Sequence, residues 1–326
     1  EARAAALVSE ARFAAGEQVR ALEGIPLMLK YEQPIAGRLL EDGCLLEQGN
    51  IVYFPQCPVP LPPEADLEAL RNELPRQLTR KNVSYHPEAD SVRGIPGDSA
   101  IYPTAYRTLT AVRQNIADFT RRVMPELMRN APIATCSLRP MEEAGRDIDA
   151  HKASELIHFD AGAYGATNGD RILRFFININ PVRERVWVSK GDFRHVFPRY
   201  SDRAGFTGPG GHVGRLEKGP LDNMRSGLVR GLSGIAPLAK VLDSSPYDRA
   251  MKRFHDFMKD TPGFQADPVG HAEVHFAPYS AWTVFADGVS HGCLSGQHCF
   301  IWTAIPPLAN ARFPEFAPMN ILRAAA

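Results

Sequence analysis

Cysteine is scarce in this sequence, and the few cysteines that occur are widely scattered. No two of them form a C-x-x-C pair, the spacing typical of structural zinc sites and thioredoxin-like redox centres. An odd number of isolated cysteines is also a poor framework for disulfides. The sequence therefore predicts reduced thiols in a cytoplasmic protein, at positions Cys44, Cys57, Cys136, Cys293 and Cys299.

The sequence also lacks an excess of either charge and lacks long apolar runs. Lysine plus arginine (37) equals aspartate plus glutamate (37), so no basic field is present to bind a nucleic-acid backbone. No apolar run predicts a membrane-spanning segment or a signal peptide. The glycine-rich stretch at 205–214 lacks the G-K-[ST] ending of a phosphate-binding loop. What remains, 44% hydrophobic and 23% charged residues, predicts an ordinary globular protein.

Residues 1–130 are dominated by helix-forming patterns. Helices are predicted in the first thirty residues, which are rich in Ala, Glu and Arg, and at 64–74. A short strand is predicted at 51–54, before a proline-rich stretch. We expect these elements to pack on a core formed by residues 131–326. A third helix is predicted because one face carries Leu109, Val112, Ile116, Phe119 and Val123.

Residues 131–326 are rich in short strand patterns, predicted at 133–138, 172–179, 272–276, 281–285 and 299–305. A segment at about 190–270 interrupts them, and we interpret it as a lid-like insertion over the mouth of the core. The predicted fold is mainly β with flanking helices (α+β), built on a double-stranded β-helix (jelly-roll, cupin-like) core. Within the insertion, a helix is predicted with Tyr247, Met251, Phe254 and Met258 on one face.

His158 and Asp160 form an H-x-D pair in the run LIHFDAG. Residues i and i+2 of a strand point to the same face, so this imidazole and carboxylate can bind one cation. The pair alone is a weak indication, because roughly one H-x-[DE] is expected by chance at ordinary composition. The competing pairs are His86 with Glu88, and His271 with Glu273, which His275 joins on the same strand face.

A third metal ligand is expected from a late strand, and His291 in AWTVFADGVSHGCLSG follows a β-rich run. Two histidines and one carboxylate on one side of iron(II) leave positions open for a bidentate 2-oxo acid and for dioxygen. The pattern by itself leaves His298 and His275 as alternatives to His291, and it also allows His291 to be a loop histidine without a metal.

An arginine in the apolar strand predicted at 172–179 favours the pair at His158. Arg174 needs an anion there, and the far carboxylate of 2-oxoglutarate can form a bidentate pair with it. Arg174 is therefore predicted to bind 2-oxoglutarate, with Asn178 on the same strand face as a second cofactor contact. Arg171, on the opposite face, and a purely structural salt bridge are the alternatives.

The sequence resembles the Kdo hydroxylases through runs that occur in the same order over most of the chain. The resemblance implies hydroxylation at C3 of Kdo, the acid sugar joined to lipid A, with iron(II), 2-oxoglutarate and oxygen. The family pattern, H-x-D followed by a distant histidine, matches His158, Asp160 and His291 as catalytic metal ligands. The runs are LEQGNIVYFP, KNVSYHPEADSVRG, HFDAG, GDRILRFFININP, RVWVSKGDF and WTVFADGVSHGCLSGQ.

The sequence departs from the family pattern just after Asp160, where AGAYGATNG places Gly162 and Tyr164 instead of an aromatic residue and prolines. Related oxygenases also keep an arginine soon after the second histidine, whereas GCLSGQHCFIWT has none, which favours Arg174 as the clamp. The departures leave a second substrate class open, a free amino acid or other small acid in a biosynthetic pathway. A cupin-like metal protein that is not an oxygenase, using the ligands around His271, is the third alternative.

A lipid-linked sugar substrate predicts an enzyme in the cytoplasm that works at the periphery of the inner membrane. Such an enzyme should carry a basic surface near the mouth of its pocket. The candidates for that surface are Arg183, Arg185, Lys190, Arg194 and Arg199.

Overall fold

The structure is a computed structural model that describes residues 28–30, 44–145, 153–162, 165–219 and 245–326. The helix predicted in the first thirty residues lies outside the described residues, apart from 28–30, which form a strand. The strands are β1 (Met28–Lys30), β2 (Ile51–Phe54), β3 (Val83–His86), β4 (Ser91–Arg93), β5 (Ile133–Arg139), β6 (Leu173–Asn178), β7 (Arg185–Ser189), β8 (Ala272–Phe276), β9 (Ala281–Phe285), β10 (Gly292–Ser295) and β11 (Cys299–Ala304). The helices are α1 (Cys44–Glu47), α2 (Glu64–Glu73), α3 (Tyr102–Val123), α4 (Phe193–Tyr200), α5 (Pro246–Asp260), α6 (Pro262–Ala266) and α7 (Pro318–Ala324).

Two sheets form the core of the molecule. The large sheet has the order β1-β2-β9-β6-β11-β5-β3-β4, and the small sheet has the order β10-β7-β8. All pairs are antiparallel except β1 with β2, which is parallel. From β8 to β11, successive strands alternate between the two sheets, as in a jelly roll. The predicted mainly β fold with flanking helices is confirmed.

Strand β6 shows how residue alternation separates the two faces of the large sheet. Leu173, Phe175 and Ile177 pack into the apolar cluster that also contains helix α3. Phe176 points the other way, into a cluster between the two sheets that includes Trp187 and Trp282. Residues i and i+2 share a face, so Arg174 and Asn178 are on the side of Phe176, as the sequence predicted.

Helix α3 covers the outer face of the large sheet, where it packs against β3 and β5. Its buried stripe contains the five apolar residues that predicted it, from Leu109 to Val123. The helix predicted at 64–74 is α2, which continues into a 3-10 turn at Leu74–Arg76. Both predicted helices are therefore confirmed, and α3 packs on the sheet from outside.

The chain between β7 and β8 contains α4, α5 and α6 and packs around its own apolar cluster. Helix α5 begins at Pro246 with a capping box, in which Ser245 and Asp248 bond each other's backbone amides. Asp248 also accepts hydrogen bonds from the amide and hydroxyl of Thr167, both at 2.8 Å. The aromatic face of α5 contacts Phe159, whose ring stacks on that of Phe254. The described part of the insertion is thus fastened to the segment that bears the H-x-D pair.

Candidate metal centre

The segment at 156–160 runs beside strand β10 and carries two of the predicted ligands. His158 forms an isolated antiparallel bridge with His291, in which each amide donates to the other residue's carbonyl, at 3.0 and 2.9 Å. The amide of Asp160 donates to the carbonyl of Ala286 at 2.9 Å. This pairing extends the small sheet by one short strand and places the two histidines opposite each other.

Backbone carbonyls hold both imidazoles in a defined orientation. Nδ1 of His158 donates to Leu156 at 2.7 Å, and Nδ1 of His291 donates to Val289 at 3.0 Å. Each Nε2 then lies near Oδ1 of Asp160, at 3.7 Å for His158 and 4.0 Å for His291. The ligand atoms of the three residues all lie within 4.8 Å of one another. The structure therefore brings the predicted triad together, with Nε2 of each ring available to a metal.

The electrostatics of the triad suit a metal ion. Burial lowers the pKa of both imidazoles, that of His158 well below its usual value, so both rings are neutral at neutral pH. Burial alone would raise the pKa of Asp160, but the guanidinium of Arg174 outweighs it and lowers that pKa. Two neutral nitrogens and one carboxylate are the donor set of non-heme iron(II) oxygenases.

The triad lies in a cavity that also receives three arginines. Nε of Arg174 donates to Oδ2 of Asp160 at 2.5 Å, and its Nη1 donates to Thr303 at 3.2 Å. Arg174 thus reaches the cavity, with its guanidinium directly against the carboxylate of Asp160. The cavity is lined by Arg139, Ser154, His158, Asp160, Arg174, Phe176, Arg185, Trp187, His291, Cys293 and Ile301.

The model of the 3-deoxy-D-manno-oct-2-ulosonic acid (Kdo) hydroxylase family matches residues 40–326. The chain belongs to the Kdo hydroxylase family. The predicted family is confirmed, and with it the prediction of a hydroxylase. A search of the curated proteins finds no match to this family member.

The chain is similar to solved structures of the Kdo hydroxylase KdoO, a non-heme Fe(II) alphaketoglutarate dependent dioxygenase. The complex of KdoO with alphaketoglutarate and Fe(III) is 26% identical, with a TM-score of 0.70 over 91% of this chain and 92% of that chain. The complex with succinate and Fe(III) is 25% identical, with a TM-score of 0.70 over the same shares. The complex with cobalt(II) is 26% identical, with a TM-score of 0.71 over 91% and 92%. The predicted jelly-roll fold is confirmed.

Sequence reasoning missed Arg139, Arg185 and Trp187 as residues that line the cavity. The pattern that could have found two of them is the run RVWVS in β7, where Arg185 and Trp187 share one face by strand alternation. The ring of Trp187 stacks on that of His291 with centroids 4.9 Å apart. Trp187 therefore lies beside the triad, and Arg185 lies two residues away from it in β7. Arg139 is the last residue of β5, in the other sheet.

Arg139 and Arg185 form a second cationic group, which shares the carboxylate of Glu143. Nη1 of Arg139 donates to Glu143 at 2.8 Å and to Ser154 at 2.9 Å. Nη1 of Arg185 donates to the carbonyl of Gly296 at 3.1 Å. Gly296 has a φ of +137°, and an added Cβ would lie 2.6 Å from the Arg185 side chain. Nε of each arginine is buried and has no hydrogen-bond partner among the described residues.

Glu143 is buried within this cationic group, with Nζ of Lys81 lying 3.6 Å from its carboxylate. Burial alone would raise the pKa of Glu143, but Arg139, Arg185 and Lys81 outweigh it and lower the pKa from 4.5 to about 2. A folded-state pKa below the unfolded value means that ionised Glu143 stabilises the fold above about pH 4.5, and that this contribution disappears as the pH falls toward about 2.

Glu143→Gln is therefore expected to lower the free energy of unfolding by up to about 3 kcal/mol at neutral pH. The difference between the two proteins should shrink as the pH falls from 4.5 toward 2, because wild-type Glu143 becomes protonated. Urea unfolding of both proteins across this range measures the difference. A difference that is the same at every pH would show that Glu143 acts through packing and not through its charge.

The competing histidines are placed elsewhere. His275 is half exposed on β8 and pairs with Glu184 and Glu273, at 2.9 and 3.7 Å. His298 is buried outside the cavity lining, and burial lowers its pKa to about 4. Within the described ranges, the only group of three metal-ligating side chains is the triad of His158, Asp160 and His291.

Two other predicted residues also have contacts outside the cavity. Asn178 is fully buried, and its amide donates to the carbonyls of Arg183, Phe276 and Ala277, at 3.0 to 3.2 Å. The structure thus uses Asn178 to hold two loops and does not bring it to the cavity lining. Arg171, the alternative clamp, forms a buried ion pair with Asp287 at 2.7 Å.

The five basic residues proposed for a membrane-facing surface do not share one exposed face. Arg185 and Lys190 are each only 1% exposed, because Arg185 turns into the cavity and Lys190 bonds the carbonyl of Asp267. Arg183 and Arg194 pair with Glu142 and Asp192. In the described part of the chain, every helix is too short or too polar to cross a membrane.

The segment that follows Asp160 departs from the family pattern at two residues. Gly162 is described, while Tyr164 lies outside the described residues.

Proposed function

We propose that this protein is a non-heme iron(II)- and 2-oxoglutarate-dependent oxygenase that hydroxylates an unactivated C–H bond of a Kdo-like acid sugar. His158, Asp160 and His291 hold the metal. The observation that carries the proposal is the convergence of two neutral imidazole nitrogens and one carboxylate in a cavity lined by three arginines. Membership of the Kdo hydroxylase family and the iron-containing complexes of KdoO support the predicted cofactors.

The residues fit iron(II) well. One carboxylate and two imidazoles bind one side of the ion and leave positions open for a 2-oxo acid and for dioxygen. When bound, iron(II) supplies the oxidising chemistry, with 2-oxoglutarate and dioxygen consumed in the reaction. The protein itself contributes orientation, charge and shielding: carbonyls fix the imidazoles, and Arg174 fixes the carboxylate of Asp160.

The arginines suit the two ends of the cosubstrate. Arg174 bonds Asp160 and so lies at the metal end of the cavity. Arg185 is two residues from Trp187, the neighbour of His291, and therefore about 7 Å further along the strand. A five-carbon dicarboxylate bound to the metal spans such a distance, and we assign its far carboxylate to Arg185 with help from Arg139. The assignment of Arg174 to this carboxylate, made from the sequence, stays a prediction. The variants Arg174→Lys and Arg185→Lys distinguish the two assignments.

The charges of the cavity also suit an acidic substrate. Among the described residues, its lining contains three guanidinium groups and the carboxylate of Asp160, and two of those guanidinium groups share the buried carboxylate of Glu143. Buried charges need partners, and the two carboxylates of 2-oxoglutarate balance only part of this set once a dication is bound. The carboxylate of a Kdo sugar, in its lipid-linked form, would supply a further negative charge. Buried free thiols at Cys136, Cys293 and Cys299 support the predicted cytoplasmic location.

Incubation with iron(II), 2-oxoglutarate and a panel of acceptors tests the proposed function. The panel contains a Kdo-bearing lipid A precursor, free Kdo, and free amino acids and other small acids. We expect succinate formation to be coupled to the gain of one oxygen atom by the Kdo-bearing lipid, measured by mass spectrometry. Coupling only to a small acid would assign the chain to a biosynthetic pathway. No iron-dependent formation of succinate with any acceptor would contradict the proposal.

A further inference from the structure

The metal-bearing segment has one edge paired with backbone and one edge that no strand of the described residues covers. His158 exchanges both of its backbone hydrogen bonds with His291. In an antiparallel pair the neighbouring residues then present their amides and carbonyls to the opposite edge. Ile157 and Phe159 are these neighbours, and a buried amide or carbonyl without a partner would cost free energy. In the described structure, side chains of the insertion, and not a further strand, bond this edge.

Gln265, in α6, occupies the position that a strand residue would otherwise fill. Its Oε1 accepts from the amide of Ile157 at 2.9 Å, and its Nε2 donates to the carbonyl of the same residue at 2.9 Å. The same Nε2 also donates to the carbonyl of Met258 in α5 at 2.9 Å. One side-chain amide therefore reproduces both bonds of a ladder pair and ties the segment to the insertion.

His255 in α5 completes the covered edge. Its Nδ1 donates to the carbonyl of Phe159 at 2.7 Å, and its ring meets that of His158 edge-on, with centroids 5.0 Å apart. Nζ of Lys259, one turn further along α5, donates to the carbonyl of Ala153 at 2.9 Å. The insertion therefore bonds the segment at three successive places along its length.

The contact of Gln265 bears directly on the orientation of His158. The carbonyl of Leu156 and the amide of Ile157 belong to a single planar peptide group. That carbonyl accepts from Nδ1 of His158, and that amide donates to Gln265. Fixing the plane of this peptide group therefore fixes the hydrogen bond that sets the tautomer and the direction of the metal-binding imidazole.

We propose that Gln265 is a positioning residue for the metal centre, acting on His158 through the Leu156–Ile157 peptide group. The insertion is then part of the metal site as well as a cover for it. The proposal rests on the proposed function, because it requires a metal at the triad. It also requires an amide at position 265, since Ile157 needs an acceptor and a donor together, and an ionised carboxylate offers only acceptors.

Titration with Co(II), followed through the visible absorption of the bound ion, tests the proposal on the full chain. Gln265→Ala should weaken Co(II) binding by roughly tenfold, as is usual when a group that orients a ligand is removed. Gln265→Glu keeps the acceptor for the amide of Ile157 but loses the donor. Its affinity for Co(II) should therefore lie between those of the wild type and of Gln265→Ala. Gln297→Ala is the matched control, because Gln297 is also half-buried and bonds a backbone carbonyl, that of Pro140, outside the segment.

Thermal unfolding of the same variants separates positioning from simple stability. A lower Tm for Gln265→Ala with wild-type affinity for Co(II) would overturn the inference, because Gln265 would then only stabilise the fold. Failure of the wild-type protein itself to bind Co(II) at the triad would instead overturn the proposed function. Reduced affinity in Gln265→Ala, together with wild-type affinity in Gln297→Ala, supports the positioning role.

Discussion

Replacement of His158 by alanine is expected to lower metal-dependent turnover of 2-oxoglutarate by more than about 100-fold. Removal of a group that only orients a metal ligand costs about 10- to 100-fold in metal affinity or activity, and removal of the ligand itself should cost more. His158 is one of only three protein ligands in the proposed site, so its loss leaves Asp160 and His291 to hold the ion. Succinate formation at saturating cosubstrate, with iron(II) added in excess, measures the effect.

His275→Ala provides the matched control for this experiment. His275 is a half-exposed imidazole on β8, paired with surface carboxylates and remote from the cavity lining. It also belonged to the competing ligand set suggested by the sequence. Activity near wild type for His275→Ala, beside inactive and folded His158→Ala, would support the triad. Full turnover in His158→Ala would remove the metal site from this position.

Replacement of Arg185 by lysine is expected to raise the KM for 2-oxoglutarate by about 10- to 100-fold. A hydrogen bond to a charged group contributes about 1.5–3 kcal/mol, and each 1.4 kcal/mol corresponds to a factor of ten. Lysine keeps the positive charge but loses the fork that binds a carboxylate through two parallel bonds. The kcat at saturating cosubstrate should change much less, because the lost contact is present before and during the reaction alike. Initial rates over a range of 2-oxoglutarate concentrations separate the two constants.

Arg174→Lys and Arg183→Lys complete the comparison. Arg183 is two residues from Arg185 but is exposed and paired with Glu142, so its replacement should leave both constants unchanged. Arg174 bonds Asp160, so its replacement should lower kcat and metal affinity together. A large rise in KM for Arg174→Lys, with Arg185→Lys unchanged, would instead confirm the role predicted for Arg174 from the sequence.

Local patterns in the sequence were sufficient to predict the three longest described helices, the central strands of the large sheet and the two faces of β6. Alternation with period two separates Arg174 from Phe175, and period 3.6 gathers Leu109 and Val112 on one stripe of α3. These regularities depend on backbone geometry over a few residues, so they can be read without knowing the rest of the fold. The resemblance to Kdo hydroxylases supplied the choice of His291 over His298, which spacing alone left open.

The surroundings of the predicted triad depended on contacts between residues far apart in the chain. Arg185 looks like a surface residue in the basic run at 183–199, yet it is buried because β7 turns that face toward the large sheet. Asn178 has the right strand face, but it lies at the end of β6, where nearby loop carbonyls take up its amide. Strand alternation specifies a face and not which neighbour lies across from it.

The arrangement of the metal site therefore has two origins. The sequence by itself determined that His158 and Asp160 share a face and that an arginine follows in a buried strand, because both are properties of an extended backbone. Only the tertiary structure decided that His291 lies opposite His158 and which arginines enter the cavity. It also decided that Gln265 bonds the edge of the metal-bearing segment that faces the insertion. Those relations come from sheet pairing and from packing of the insertion, which bring distant parts of the chain within hydrogen-bonding distance.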